Sequence, residues 1–237
     1  MFNLIKNQLY FIFEQFLSLI YKENCCICGC SKDNKILCKT CSKSVEILSG
    51  FPQGKIRDIE IYSACIYKGN IRTLIHKLKF HHKLAVARIL GDILFKYYNK
   101  ILDYKLNNSK SINRFQNVVI VPVPTSLKNK KERGYNNVFQ IAKEFSKLSN
   151  IPVLENFLIK IKNTPPQFKI SKENRKTNIK GVFKVNLTSK IKSQIKDKTI
   201  IIIDDIITTG ATLEEIIKTL QENNINNIIC ITLSKAV

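Results

Sequence analysis

Apolar residues recur along this chain with two periods, and the changes of period mark its elements. Ile200 to Ile203 are four isoleucines in a row with no polar alternation, the pattern of a strand covered on both faces in a parallel sheet. The run stops at Asp204 and Asp205, passes through Ile206-Ile207-Thr208-Thr209-Gly210-Ala211-Thr212, then places Leu213, Ile216, Ile217 and Leu220 at helical spacing. Thr212 and Glu215 are spaced as a capping box. The unit reads strand, acidic tip, small-residue loop, helix. Upstream, Ile59 to Tyr67 and Val118 to Val121 read as strands, the second ended by Pro122 and Pro124, which have no ladder donor. Ile71, Leu74, Ile75 and Leu78 form one helical face, Leu84 to Tyr98 a second helix, and a third runs to about Leu148 behind a basic loop over Thr125 to Asn136. Ile151 to Val153 suggests an edge strand, Val182 to Val185 a short strand and Ile228 to Leu233 the last. Strands alternating with helices predict a doubly wound, mainly parallel α/β sheet over residues 55–237. A linker at Ser49 to Gly54 separates it from a small amino-terminal module over residues 1–50.

That module holds two features. Leu9, Ile12, Phe13, Phe16, Leu17 and Ile20 put an amphipathic helix within Phe2 to Tyr21, which packs on the main domain or lies on a membrane surface. Lys6, Glu14 and their polar neighbours leave no uncharged span near the ~20 residues a bilayer requires. Neither a secretory signal nor a transmembrane segment is therefore expected. Cys25-Cys26-Ile27-Cys28 and Cys38-Lys39-Thr40-Cys41 then form two C-x-x-C knuckles, the spacing that brings four thiolates around a structural zinc. Cys25, Cys28, Cys38 and Cys41 are the preferred ligands, with Cys26 and Cys30 near enough to compete. Cys65 and Cys230, inside apolar runs, read as core.

Charge changes the picture next. A formal net charge of +21 over 237 residues points to a polyanionic partner or substrate. Lys160 to Arg175, broken by Pro165-Pro166, reads as a mobile basic lid. His76, His81 and His82 are solvated or capping groups and receive no chemistry.

The acidic tip carries the candidate chemistry. A small-residue loop at a helix start gathers unpaired N–H groups and the positive end of the helix dipole, to which Thr208, Thr209 and Thr212 add hydroxyls. With Gly210 and Ala211 they make a phosphate site, while carboxylates such as Asp204 and Asp205 suit the hydroxyls of a ribose. The same segment can thus hold a ribose 5-phosphate. Lys131 and Arg133, in the basic loop after a parallel strand, are placed to meet a pyrophosphate.

This stretch resembles the phosphoribosyl pyrophosphate (PRPP) motif of type I phosphoribosyltransferases. Along the whole chain, the four-cysteine module, Tyr67-Lys68-Gly69 through Lys79-Phe80, Val121-Pro122-Val123-Pro124, Arg133-Gly134-Tyr135-Asn136, Thr164-Pro165-Pro166-Gln167, Arg175 with Asn178, and Gly181-Val182-Phe183 follow in the order of the ComF (GntX-type) family. The resemblance implies a phosphoribosyltransferase-like fold that binds Mg2+ with PRPP, Asp204 and Asp205 on the ribose 2- and 3-hydroxyls and Thr208 to Thr212 on the 5-phosphate. It also implies a cytoplasmic protein that acts on incoming single-stranded DNA in natural transformation, with a DNA-uptake helicase or other competence proteins as partners. The alternative is an active phosphoribosyltransferase of nucleotide metabolism whose acceptor base or amine no residue identifies. Asn137 stands where the family usually has glutamine, and Lys160 and Lys162 where arginines are common.

Overall fold

The computed structural model describes residues 24–31, 33, 35–81, 83–107, 115, 117–162 and 179–236. The amphipathic segment at Phe2 to Tyr21, His82, and Asn163 to Asn178 with most of the expected lid lie outside the described residues. The chain divides into two compact units, Met1–Val45 and Glu46–Val237.

In the smaller unit, a turn with Gly29 in the left-handed region leads to a five-residue helix, α1 (Lys39–Lys43), capped by the Cys38 thiol accepting from the Cys41 amide.

The larger unit is built on a five-stranded sheet of β1 (Gly54–Ile56), β2 (Ile59–Ile66), β3 (Val118–Pro122), β6 (Thr199–Ile207) and β7 (Ile228–Lys235), in the spatial order β1-β2-β7-β6-β3. All pairs are parallel except β1 with β2. The segment read as a linker therefore ends in an edge strand. The expected strand at Ile151 to Val153 appears only as a single parallel bridge from Val153 to Ile120. Val182 to Val185 does not join the main sheet: β5 (Phe183–Val185) pairs antiparallel with β4 (Leu158–Lys160).

Neighbouring strand residues face opposite ways, so the sheet has two apolar faces. Ile59, Val121, Ile202 and Cys230 pack in one cluster with Leu213, Ile216 and Leu220 of α7 (Ala211–Glu222) and with Phe183 and Val185. Between β2 and β3 run α2 (Gly69–Phe80) and the long α3 (Ala85–Asn107), and after β3 come α4 (Leu127–Arg133) and α5 (Asn137–Ser149). A further short helix, α6 (Ser189–Ile195), precedes β6. α3 and α5 pack closely because Gly91 has no side chain: a Cβ there would stand 2.6 Å from Glu144 Cβ. Cys65 and Cys230 are buried in β2 and β7. Among the described residues no helix is long and apolar enough to cross a membrane.

Two local readings differ. The stretch read as a basic loop contains α4, which Ser126 starts by accepting from the Asn129 amide and Gly134 ends in the left-handed region. The capping box at Thr212 and Glu215 does not form. Gly210 is the N-cap, and Glu215 Oε1 instead accepts from the Gly181 amide at 2.6 Å.

Candidate functional site

β6 continues past its isoleucines. β7 accompanies it as far as the pair Ile207–Lys235, whereas β3 leaves at the pair Pro122–Ile203. A last amide, from Val123 to the Ile203 carbonyl at 2.9 Å, closes the ladder on that side. The aspartates thus sit inside the strand and just beyond its neighbour's end, where the sheet opens.

Being adjacent in a strand, they serve opposite faces. Asp204 lines a small open cleft together with Thr208, Gly210, Ala211 and Thr212. Thr208 and Thr209 are exposed, the Thr209 hydroxyl reaches the Ala211 amide at 3.5 Å, and the first intrahelical bond of α7 runs from Glu214 to the Gly210 carbonyl. Amides ahead of that bond belong to the helix start, which favours anions. Gly210 is required here: its φ is +79°, and a Cβ would come within 2.8 Å of Ile56 Cδ1.

Asp205 is turned the other way and is buried. Its Oδ2 accepts from Lys79 Nζ at 2.8 Å and from the Asn137 side-chain amide. The carbonyl oxygen of Asn137 accepts from Arg133 at 3.2 Å, and the Arg133 guanidinium lies 5.1 Å from the centre of the Phe80 ring. Tyr135 ties the same corner to the end of α2 through a 2.6 Å bond to the Leu78 carbonyl. Lys131 stands exposed on α4 and is not part of this network. Burial first, and then the charge of Asp205, push the Asp204 carboxyl up to about 7, against the pull of an Asp205 amide bond, Lys79 and Lys160. For Lys160 on β4, burial holds the amine below its ordinary range and Asp204 opposes that shift.

The structure gathers Asp204 with the Thr208 to Thr212 loop, and Asp205 with Arg133. It separates the two carboxylates onto two sides of one strand and leaves Lys131 apart. Sequence reading missed Lys79 and Asn137 as partners of Asp205, although both stood in stretches that carried the family resemblance. It also missed Lys160 beside Asp204.

In the smaller unit, the sulfurs of Cys25, Cys28, Cys38 and Cys41 all lie within 4.8 Å of one another. The Cys28 and Cys38 sulfurs are 3.7 Å apart, close to the edge of a tetrahedron with Zn–S bonds of about 2.3 Å. Cys26 and Cys30 are not in this group. Burial opposes ionisation of Cys25, but the amides of Cys38, Cys28 and Ile27 draw it down to about 6, while burial and the neighbouring thiols push Cys41 up. Four thiols so crowded cannot all ionise without a cation between them, and the donor set fits a zinc ion with no open position.

The phosphoribosyl transferase domain family matches residues 133–236, the part that contains Arg133, Asn137, both aspartates and the threonine loop. Competence protein F of Haemophilus influenzae is 29% identical over 155 residues, 65% of this chain and 63% of that protein. The chain thus spans less than two thirds of that relative. DNA utilization protein YhgH of Escherichia coli is 23% identical over 205 residues, 84% of both chains, and its namesake in Salmonella typhimurium is 24% identical over 163 residues, 69% of this chain and 66% of that protein.

Proposed function

Since this chain belongs to the ComF family of phosphoribosyltransferase-like proteins, we propose that it serves competence by handling incoming single-stranded DNA in the cytoplasm through a pocket for Mg2+ and PRPP. One observation carries this reading: Asp204 shares a single cleft with Thr208, Gly210, Ala211 and Thr212. A carboxylate on one wall and a helix start on the other match the two ends of a ribose 5-phosphate.

Asp204 binds ribose hydroxyls from the cleft side, and Thr208 to Thr212 hold the 5-phosphate. Asp205 fixes Lys79 and, through Asn137, orients Arg133 at the open strand edge, where the pyrophosphate of the same ligand brings its charge. Mg2+ would supply neutralisation of that pyrophosphate when bound. The raised pKa of Asp204 fits a carboxylate whose preferred neighbour is a cation. The net charge of +21 supports attraction to a DNA backbone. The names competence protein and DNA utilization protein, carried by the relatives, support the DNA-linked role.

A second reading has one observation behind it. Lys79 pairs with Asp205 on the strand that also bears the ribose carboxylate, and Arg133 is linked to Asp205 through Asn137; cations there would stabilise departing pyrophosphate, making the protein a phosphoribosyltransferase acting on a base or amine. Labelled PRPP incubated with DNA and with candidate bases separates the two. Pyrophosphate release dependent on an acceptor establishes turnover, and its absence alongside tight PRPP binding assigns a sensing role. In the host, Asp204→Asn should depress transformation as strongly as deletion of the gene, and an unchanged frequency would refute the competence reading.

A further inference from the structure

Phe80 breaks the amphipathic rule of its helix, as the only aromatic among the exposed large apolar side chains on the described helices of the larger unit. α2 buries Ile71, Leu74, Ile75 and Leu78, yet Phe80 ends the helix with its side chain 50% exposed. Packing does not explain a bare aromatic there. His76, one helical turn earlier and also exposed, sets its ring 4.7 Å from that of Phe80. The Arg133 guanidinium lies 5.1 Å from the Phe80 ring centre and is itself held by Asn137, which bonds Asp205. The ring is therefore in contact with a cation of the Asp205 network, and Phe80 keeps half its surface in water. A rigid aromatic beside a cation, on a strongly basic protein, is the element on which unpaired bases stack.

The geometry points to Phe80 as a stacking platform for a base of single-stranded nucleic acid, with Arg133 holding the ring and the exposed lysines of α4 attracting the adjoining phosphates. This deepens the DNA-handling role proposed above and rests on it. It places the strand at the cationic end of the ribose site, so that DNA and the sugar phosphate share one corner of the molecule.

The test uses the full chain and fluorescein-labelled oligothymidylate, read by fluorescence anisotropy at one fixed salt concentration and then across a salt series. Phe80→Ala should weaken binding about 5- to 100-fold, the range of single base-stacking contacts, and leave the salt slope unchanged, because the ring carries no charge. Phe80→Tyr should stay within about 2-fold of wild type, since it keeps a stacking face. An abasic strand of equal length should bind wild type and Phe80→Ala alike. Phe80→Ala binding at wild-type strength, with wild-type binding still salt-dependent, overturns the platform and leaves the DNA role standing. No salt-dependent binding by wild type overturns both. Displacement of the strand by stoichiometric thymidine monophosphate would assign the ring to a free nucleotide and also refute the strand claim.

Discussion

Lys79 Nζ lies 2.8 Å from Asp205 Oδ2, an ion pair between the end of α2 and the last part of β6 in which the carboxylate is 9% and the lysine 21% exposed. Residues 126 positions apart in the chain are thereby locked at the point where the sheet opens. Removing one partner of such a pair leaves the other charge poorly solvated. Lys79→Met should lower the unfolding free energy by about 2 kcal/mol, between the values for surface and fully buried pairs. Urea denaturation checks this, and Lys79→Arg should recover part of the loss. An unchanged midpoint in Lys79→Met would mean that Asn137 alone suffices for Asp205.

Asp204 gives a pH signature. Its folded-state carboxyl is raised from 3.8 to about 7, so the folded chain holds this proton more tightly than the unfolded chain. Between those values stability therefore falls as pH rises, and the loss is complete above about 7. Asp204→Asn lacks this penalty. Its stability relative to wild type should be similar near pH 4 and should exceed it by upwards of about 1.4 kcal/mol at pH 8. Thermal unfolding of both proteins across that range reads the difference, and parallel curves would refute the shift.

Gly210 is held in place by two constraints, a φ of +79° and Ile56 Cδ1 at 2.8 Å from any added Cβ. Gly210→Ala should cost about 1–3 kcal/mol of stability and displace the threonine loop, abolishing phosphate binding. Gly210→Ala with Ile56→Val relieves only the steric part, so it should recover stability in part. Full recovery in the double variant would show that backbone conformation contributes nothing.

One zinc per chain is expected from elemental analysis of freshly purified protein. Cys38→Ser, at a buried member of the four-sulfur group, should retain far less metal, and Cys26→Ser should retain all of it. Equal loss from both variants would move Cys26 into the ligand set.

The sequence made some of this legible and hid the rest for physical reasons. Four isoleucines identify β6 because a β-branched run without polar alternation suits a strand buried on both faces. Its end was misplaced, since β7 running on to Lys235 while β3 stops at Pro122 is a fact of register between strands distant in sequence. The helical α4 carried its own signals, Ser126 before it and Gly134 after it, but its run of lysines dominated the reading. Local spacing at Thr212 and Glu215 fitted a capping box, yet Gly210 took the cap and Glu215 turned to Gly181, a tertiary contact 34 residues away. The two aspartates looked like one grip. Strand alternation alone separates them, once they are known to lie inside β6 rather than past its end. The partners Lys79 and Asn137 come from α2 and α5, and no spacing within the motif announces them.

The central claim is that Asp204 and the Thr208 to Thr212 loop together bind a ribose 5-phosphate that carries pyrophosphate. Titration calorimetry of the full-length, zinc-loaded protein with PRPP in the presence of Mg2+ tests it most directly. One site per chain, lost in Asp204→Asn while the fold by circular dichroism is retained, is the predicted result; no heat of binding from the wild-type protein, or equal binding by Asp204→Asn, would contradict it.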